Sequence, residues 1–328
     1  MKYNFVVFAT NVNLYKYMYK DMLDLENVLV CWDKSELLEL LPKFLKKLAN
    51  MHINSKVNKI IRLPMKKIWY CLGAKRIKFS NDKPICFVWH NHFREEIENG
   101  TVEYIKKKFP DSKHVYFFTD PWAVNGEAIK FLRSKMDVVA VFDEVIAQKY
   151  GIEYFPNVYP KQEPSEQSSQ IIYDICFVGQ DKGRGDELAA IAQLCEEHDV
   201  KNAFYIGKYN GEHKKGISYI KNKMAYVDVV ELVKQSRCLL ELKVEPENTC
   251  SLRVQEAVVF NKKLITNNRN VYNMPCCKDS KWILYYDKIE DIDWDFIKKD
   301  EVVEYNYQGE FLAKQWFLRI EETLNMFC

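Results

Sequence analysis

With 328 residues, 48% of them hydrophobic and 29% charged, the chain has material for about two domains with real cores. No stretch approaches the ~20 uninterrupted apolar residues of a membrane span, which excludes a chain threaded through the bilayer as helices. The net charge is only +2, and the ten cysteines form no C-x-x-C pair, which excludes a zinc ribbon or disulfide scaffold and reads as reduced core thiols of a cytosolic protein.

The N-terminus, MKYNFVVFATNVNLYK, is too short in its apolar part for a signal peptide and predicts a first strand over Tyr3–Ala9. A second strand is expected over Val28–Trp32. Between Leu40 and Asn81 the chain has no acidic residue but eleven lysines and arginines, so the remainder carries −9 against the whole-chain +2. Such a local excess points to an anionic partner, a membrane surface or a phosphate-rich ligand. Leu40, Leu41, Phe44, Leu45 and Leu48, then Ile60, Ile61, Leu63, Met65 and Ile68, give this basic window the pattern of an interfacial amphipathic segment. The competing account is a solvated basic face around a core helix.

Strands follow over Pro84–Trp89, His114–Thr119 and Val138–Phe142, with helices over Thr101–Phe109 and Asn125–Ser134. Near-continuous apolar strands alternating with helices predict a parallel sheet covered on both faces. Two strands end in chemistry. WHNHF (Trp89–Phe93) offers His90 and His92, and FTDPW (Phe118–Trp122) offers Asp120. His92, or Asp120 in its place, is the candidate base for an acceptor hydroxyl. The H-x-H spacing also permits a metal, but no cysteine or carboxylate cluster completes a site. Asp143 is expected to cap the helix after it.

KQEPSEQSSQ (Lys161–Gln170) is the best linker in the chain. The pattern then restarts: a strand over Tyr173–Val178 ending at Gly179, the turn QDKGRGD with Arg184, and a helix over Glu187–Glu197. A strand over Ala203–Ile206 leads to Lys208. Asp228 is expected to cap Val229–Gln235, and Arg237–Leu242 is the next strand. In ENTCSLRVQEAVVFNKKLITNN (Glu247–Asn268), Thr249 or Ser251 is a good N-cap, Arg253 lies in the first turn of a buried helix, and Lys263–Thr266 is a short strand. Trp282–Tyr285 is the last strand. DIDWD (Asp291–Asp295) contains D-x-D but sits in an acidic surface stretch and is set aside. Gly309–Phe327 predicts a closing amphipathic helix. Two such α/β sheets open their ligand crevice outside the strand carboxyl ends, expected here between the domains.

Four stretches now resemble GT-B-fold glycosyltransferases of the compact bacterial lipopolysaccharide or capsule type. They are Val138–Tyr159, YDICFVGQDKGR, YIKNKMAYVDVVELVKQSRCLLEL and ENTCSLRVQEAVVFNKKLITNN. The last is similar to the family's donor-phosphate helix, though Cys250-Ser251 stand where glycine is commoner. The spacing from Glu247 to Glu256 is also one residue longer than E-x7-E. The resemblance implies two Rossmann-like domains facing each other across a cleft: residues 1–160 for the acceptor, including the basic 40–81 segment, and 171–308 for the nucleotide-sugar. Residues 161–170 would link them and the helix in 309–328 would close back. It further implies a hexosyltransferase-type enzyme with neither cofactor nor essential metal.

On that reading Gly179, Arg184, Lys208, Tyr226, Glu247, Thr249, Ser251, Arg253 and Glu256 bind the donor. Arg253 and Lys208 would neutralise the diphosphate. Several alternatives stay open: Arg184 as a surface arginine, Tyr226 as a core aromatic rather than a base platform, and Glu256 as a ribose ligand, an orienter of Arg253 or its intrahelical ion-pair partner. The expected partners are a glycan or lipid-linked acceptor and an anionic membrane, without nucleic acid, on the inner face of the cell membrane. The rival is a non-catalytic nucleic-acid or anionic-lipid binding protein on a Rossmann-like scaffold.

Overall fold

The computed structural model describes residues 1–53, 67–162, 170–244 and 250–326. It divides into two compact units, the first Met1–Val158 with the segment from Ala313 onward, the second Tyr159–Leu312. Most of the expected linker, 163–169, lies outside the described residues.

The first unit is built on six parallel strands: β1 (Asn4–Phe8), β2 (Val28–Cys31), β3 (Ile85–His90), β4 (Lys113–Phe118), β5 (Val138–Val141) and β6 (Glu153–Tyr154). Their order is β2-β1-β3-β4-β5-β6. Every residue of β1, NFVVF, is buried, as a parallel strand covered on both faces requires. On one face Phe8 packs on Trp89 and Phe93, with ring centroids 4.3 and 5.1 Å apart. The helix Ala313–Met326 belongs to this unit: Phe317 lies 4.4 Å from Phe5, and Glu321 accepts hydrogen bonds from the Lys2 and Tyr3 N–H groups at 2.5 and 3.1 Å. Connection direction reverses between β1 and β3, which makes their carboxyl ends a topological switch point.

The second unit has β7 (Tyr173–Gln180), β8 (Asn202–Gly207), β9 (Ile217–Ile220), β10 (Ser236–Glu241), β11 (Lys263–Thr266) and β12 (Ile283–Tyr285), all parallel, in the order β12-β11-β10-β7-β8-β9. Read from β9, this is the 3-2-1-4-5-6 order of a dinucleotide-binding sheet, with its switch point between β7 and β10. Asp228 does not cap a helix: Tyr226–Lys234 begins two residues earlier, after Ala225, and Asp228 instead places its charge in the first turn, where the helix dipole favours it. Asp143 does cap, accepting from the Ile146 N–H at 2.6 Å. The nine described cysteines are free thiols, all but Cys250 buried. No helix among the described residues is long and apolar enough to cross a membrane.

Two histidines sit inside the first sheet. His114 accepts from Trp89 Nε1 at 3.2 Å through Nδ1 and meets Ser112 Oγ at 3.1 Å through Nε2. Ser112 donates its own proton to the Phe109 carbonyl, so His114 carries its hydrogen on Nε2. His90 touches Tyr19 through Nε2 at 3.3 Å, and its buried Nδ1 has no partner among the described residues. Burial lowers both pKa values to about 3. Because both folded-state values lie below the ordinary 6.5, the unfolded chain takes up protons that the folded chain refuses between pH ~6.5 and ~3. Stability from this source is therefore complete above pH ~6.5 and falls below it by about 1.4 kcal/mol per pH unit for each histidine. Denaturant unfolding between about pH 7 and about pH 5 should show this slope, and His90→Phe should remove about half of it.

Candidate functional site

At the β7/β10 switch point, polar side chains tie neighbouring strand ends together. β10 closes on Glu241, only 2% exposed. A carboxylate there needs donors on both oxygens, because an unpaired buried charge costs several kcal/mol. One oxygen accepts from the Ser251 N–H (2.5 Å), the other from Thr266 Oγ1 at the end of β11 (2.8 Å). Thr266 Oγ1 accepts in turn from the Asn268 N–H at 3.0 Å. Asn267 accepts from the Lys243 N–H (2.7 Å) and donates to Glu187 (2.9 Å), which also accepts from the Tyr286 hydroxyl. Burial raises the Glu241 pKa, opposed by the hydrogen bonds from Ser251 and Thr266 and by the charge of Arg184.

Arg184 clips the two sides of the switch point together. Its Nη1 donates to the Leu242 carbonyl (2.9 Å) after β10, and its Nη2 to the Gln180 carbonyl (2.5 Å) at the end of β7. The guanidinium lies 5.3 Å over the Phe177 ring. Gly179 leaves room beneath it: an added Cβ would stand 2.9 Å from Phe177 Cζ and 3.0 Å from Arg184 Nη2, so both side chains would have to shift. The arginine left open as a surface residue is thus bound to the framework at both ends.

Ser251 is the N-cap of the helix Leu252–Val259, its Oγ accepting from the Arg253 N–H at 3.2 Å. Arg253 forms an ion pair with Glu256 one turn on, and its Nη2 points to the Val178 carbonyl at 3.4 Å. Glu256 is fully buried. Its second oxygen accepts from the Tyr226 hydroxyl (2.5 Å), which sits 3.1 Å from the Tyr159 hydroxyl. Burial raises the Glu256 pKa while Arg253 and Tyr226 pull it down. For Arg253 burial is the largest influence and opposes the charge, but Glu256 together with Cys176, Tyr226 and Tyr159 outweighs it and the pKa is raised. The open choice for Glu256 is therefore seen as an ion pair, and the Tyr226 hydroxyl is committed to it. Lys208 differs: it stands exposed on a left-handed turn (φ 57°) directly after β8, with no hydrogen bond or ion pair among the described residues. Glu247 and Thr249 lie outside the described residues.

In the first unit the loops after β1, β3 and β4 are cross-linked. Asn91 Oδ1 accepts from the Thr119 N–H (3.1 Å), and the Tyr15 hydroxyl donates to the Thr119 carbonyl (3.1 Å). His92, on the 3-10 turn Asn91–Phe93, and Asp120 are both exposed on this rim. One Asp120 oxygen caps the turn Pro121–Ala123 by accepting from the Trp122 N–H at 3.1 Å. His90, by contrast, is wholly buried. Among the described residues no group of three or more His, Cys, Asp or Glu is placed to hold a metal ion. In the D-x-D stretch, Asp291 and Asp293 accept from nearby backbone N–H groups.

Sequence reasoning missed Glu241, Glu187 and Trp122. Glu241 had a signal, an acid inside the apolar run RCLLEL, whose charge had to be answered by other segments. Trp122 had one too: it closes FTDPW beside a proline, and its side chain is 55% exposed on the rim.

No protein-family model and no curated protein sequence matches the chain. Solved structures do. An α-glucosyltransferase in complex with UDP and a 13-mer DNA containing a central A:G mismatch aligns with a TM-score of 0.52 at 10% identity, over 98% of this chain and 99% of that one. A second complex of an α-glucosyltransferase, with UDP and a 13-mer DNA containing a HMU base, gives 0.52 at 9% identity over 98% and 99%. A trehalose-6-phosphate synthase gives 0.51 at 10% identity over 99% and 97%. At such identities the likeness is one of fold, and the fold is GT-B.

The buried pair of Arg253 and Glu256 sets a stability expectation. Arg253→Ala leaves the buried Glu256 without its partner, so denaturant unfolding should show a loss of about 3–5 kcal/mol. Adding Glu256→Gln to it should restore part of that loss, the non-additivity expected of a directly coupled pair.

Proposed function

We propose that the protein is a glycosyltransferase, moving a hexose-type sugar from a nucleoside-diphosphate donor on the second unit to a lipopolysaccharide or capsule glycan on the first, without an essential metal. The observation that carries this reading is the rim at the β7/β10 switch point: a glycine turn, an arginine clip and a capped helix N-terminus, with an exposed lysine after the neighbouring β8, in a GT-B fold. Fold alone does not assign chemistry, but these groups suit an anionic ligand.

The reaction asks two things of the protein. The acceptor hydroxyl oxygen bonds to the anomeric carbon as the bond from that carbon to the diphosphate oxygen breaks, and the electron pair leaves with the nucleoside diphosphate. Fixed donors must meet that charge. Lys208 has its ammonium uncommitted, and Arg184 is held rigidly beside the glycine turn. Arg253, already neutralised by Glu256, acts chiefly by holding its helix, with the capped first turn facing the ligand. The acceptor proton must also go to a base. His92 and Asp120 are the exposed titratable groups on the first unit's cross-linked rim, and we assign the role to one of them. The sugars of a surface glycan also have apolar C–H faces, which the exposed indole of Trp122 could stack against.

Thermal stabilisation by UDP and GDP, followed by a screen of nucleotide-sugars for transfer or hydrolysis, tests the reading directly. Lys208→Ala should weaken nucleoside-diphosphate binding about tenfold, the loss of one charge-assisted contact. Of His92→Gln and Asp120→Asn, one should lower kcat by about 10²–10⁴-fold while leaving donor binding unchanged. No stabilisation by any nucleoside diphosphate would remove the assignment, and full transfer by both variants would remove the proposed base.

A further inference from the structure

The helix Lys43–Ile53, KFLKKLANMHI, contains no acidic residue. Its inner side is fully occupied: Ala49 and Leu45 pack with Leu38, Leu41, Trp69 and Leu72, and His52 Nδ1 accepts from Trp69 Nε1 at 2.9 Å. The outer side is unusual. Phe44 is 71% exposed and Met51 58%. Seven residues apart, they lie two turns along one stripe of the helix. Lys47 lies between them and Lys43 beside them, both exposed. Leu40, just before the helix, is 37% exposed. Lys46 is turned toward Glu39 in an ion pair.

From this juxtaposition we propose that the outer face of Lys43–Ile53 docks the first unit on an anionic lipid surface, with Phe44 and Met51 entering the interface and Lys43 and Lys47 meeting the headgroup charge. The inference does not depend on the sugar-transfer reading. Large apolar side chains scattered singly need no explanation. Two on one stripe, with Lys43 and Lys47 exposed beside them, have the composition of an in-plane interfacial helix. Charge complementarity selects the occupant. A second copy of the chain would bring Lys43 and Lys47 against like charges. Nucleic acid would satisfy the lysines but gives Met51 and Leu40 nothing to bury against phosphate. An anionic leaflet uses both kinds of residue at once, and the acid-free window from Leu40 to Asn81 extends the attraction. Lys56, Lys59, Arg62 and Lys66 of that window, with Ile60, Ile61, Leu63 and Met65, lie outside the described residues. Lys75 is engaged elsewhere, over the Tyr104 ring at 4.1 Å.

Co-sedimentation of the full chain with phosphatidylcholine vesicles, and with phosphatidylcholine vesicles containing about a third phosphatidylglycerol, tests this at about 0.1 M and about 1 M salt. The expected result is binding to the anionic vesicles alone, largely lost at high salt. Lys43→Glu/Lys47→Glu should weaken it about tenfold or more, and Phe44→Ser/Met51→Ser should weaken it at least about threefold. All four residues are exposed, so thermal midpoints should stay close to the wild-type value. UDP binding, measured in parallel, keeps the result separate from the transferase reading. Equal partitioning to both vesicle types, no sedimentation with either, indifference to both double variants, or preferential capture by a random-sequence oligonucleotide would each overturn the proposal.

Discussion

Glu241 closes a strand buried on both faces, and from that position it cannot reach water, so the chain itself has to answer its charge. Doing so fixes more than one side chain. Taking the Ser251 N–H sets where the helix Leu252–Val259 begins, and taking the Thr266 hydroxyl aligns the end of β11 with the end of β10. Thr266 then holds Asn268, and Asn267 reaches back to Lys243 and across to Glu187. Each donor is cheap to place and costly to lose, because the alternative is an unsatisfied group in a low-dielectric interior. The result is a rim whose polar groups are held before any ligand arrives, as electrostatic catalysis requires.

Much of this was legible in the sequence for a simple reason. Parallel strands covered on both faces are continuous apolar runs, and ten of the twelve strands announce themselves that way. The two that do not, β6 (Glu153–Tyr154) and β9 (Ile217–Ile220), are edge strands, short or of mixed polarity, whose existence depends on a neighbour to pair with. Capping is equally local, so Ser251 could be read from its place before an apolar run. Arg184 is a different case. Its hold on the Leu242 carbonyl spans 58 residues, and no local spacing encodes such a contact. WHNHF shows a third kind of difficulty. Strand alternation would put His90 and His92 on one face, but β3 ends at His90 and the chain turns into a 3-10 helix. The alternation stops, one ring is buried, and the other faces solvent.

The two rims solve the same problem with opposite distributions of charge. In the second unit the ionised groups are mostly drawn inward, and hydrogen bonds among them make the framework. In the first, neutral groups carry the framework: Asn91 and Tyr15 hold Thr119 from two sides. That leaves His92 and Asp120 at the surface. The division suits the proposed transfer, in which a leaving anion is met at one place and a proton is moved at another. A buried imidazole such as His90, whose pKa lies near 3, could not carry a proton at neutral pH.

Rigidity and attraction compete for the same charges. Arg253 beside Glu256 is nearly neutral as a unit, and Arg184 spends its strongest donors on carbonyls of its own chain. An anion brought to the second unit is therefore not drawn by those guanidiniums as free charges, and what they supply is fixed position. The long-range pull falls to groups with no partner among the described residues, of which Lys208 is the clear case. Buried pairs gain little stability over apolar residues of the same shape, so their retention at this rim is better understood as positional. They hold backbone donors and Gly179 where an ordinary apolar core would place no polar group at all.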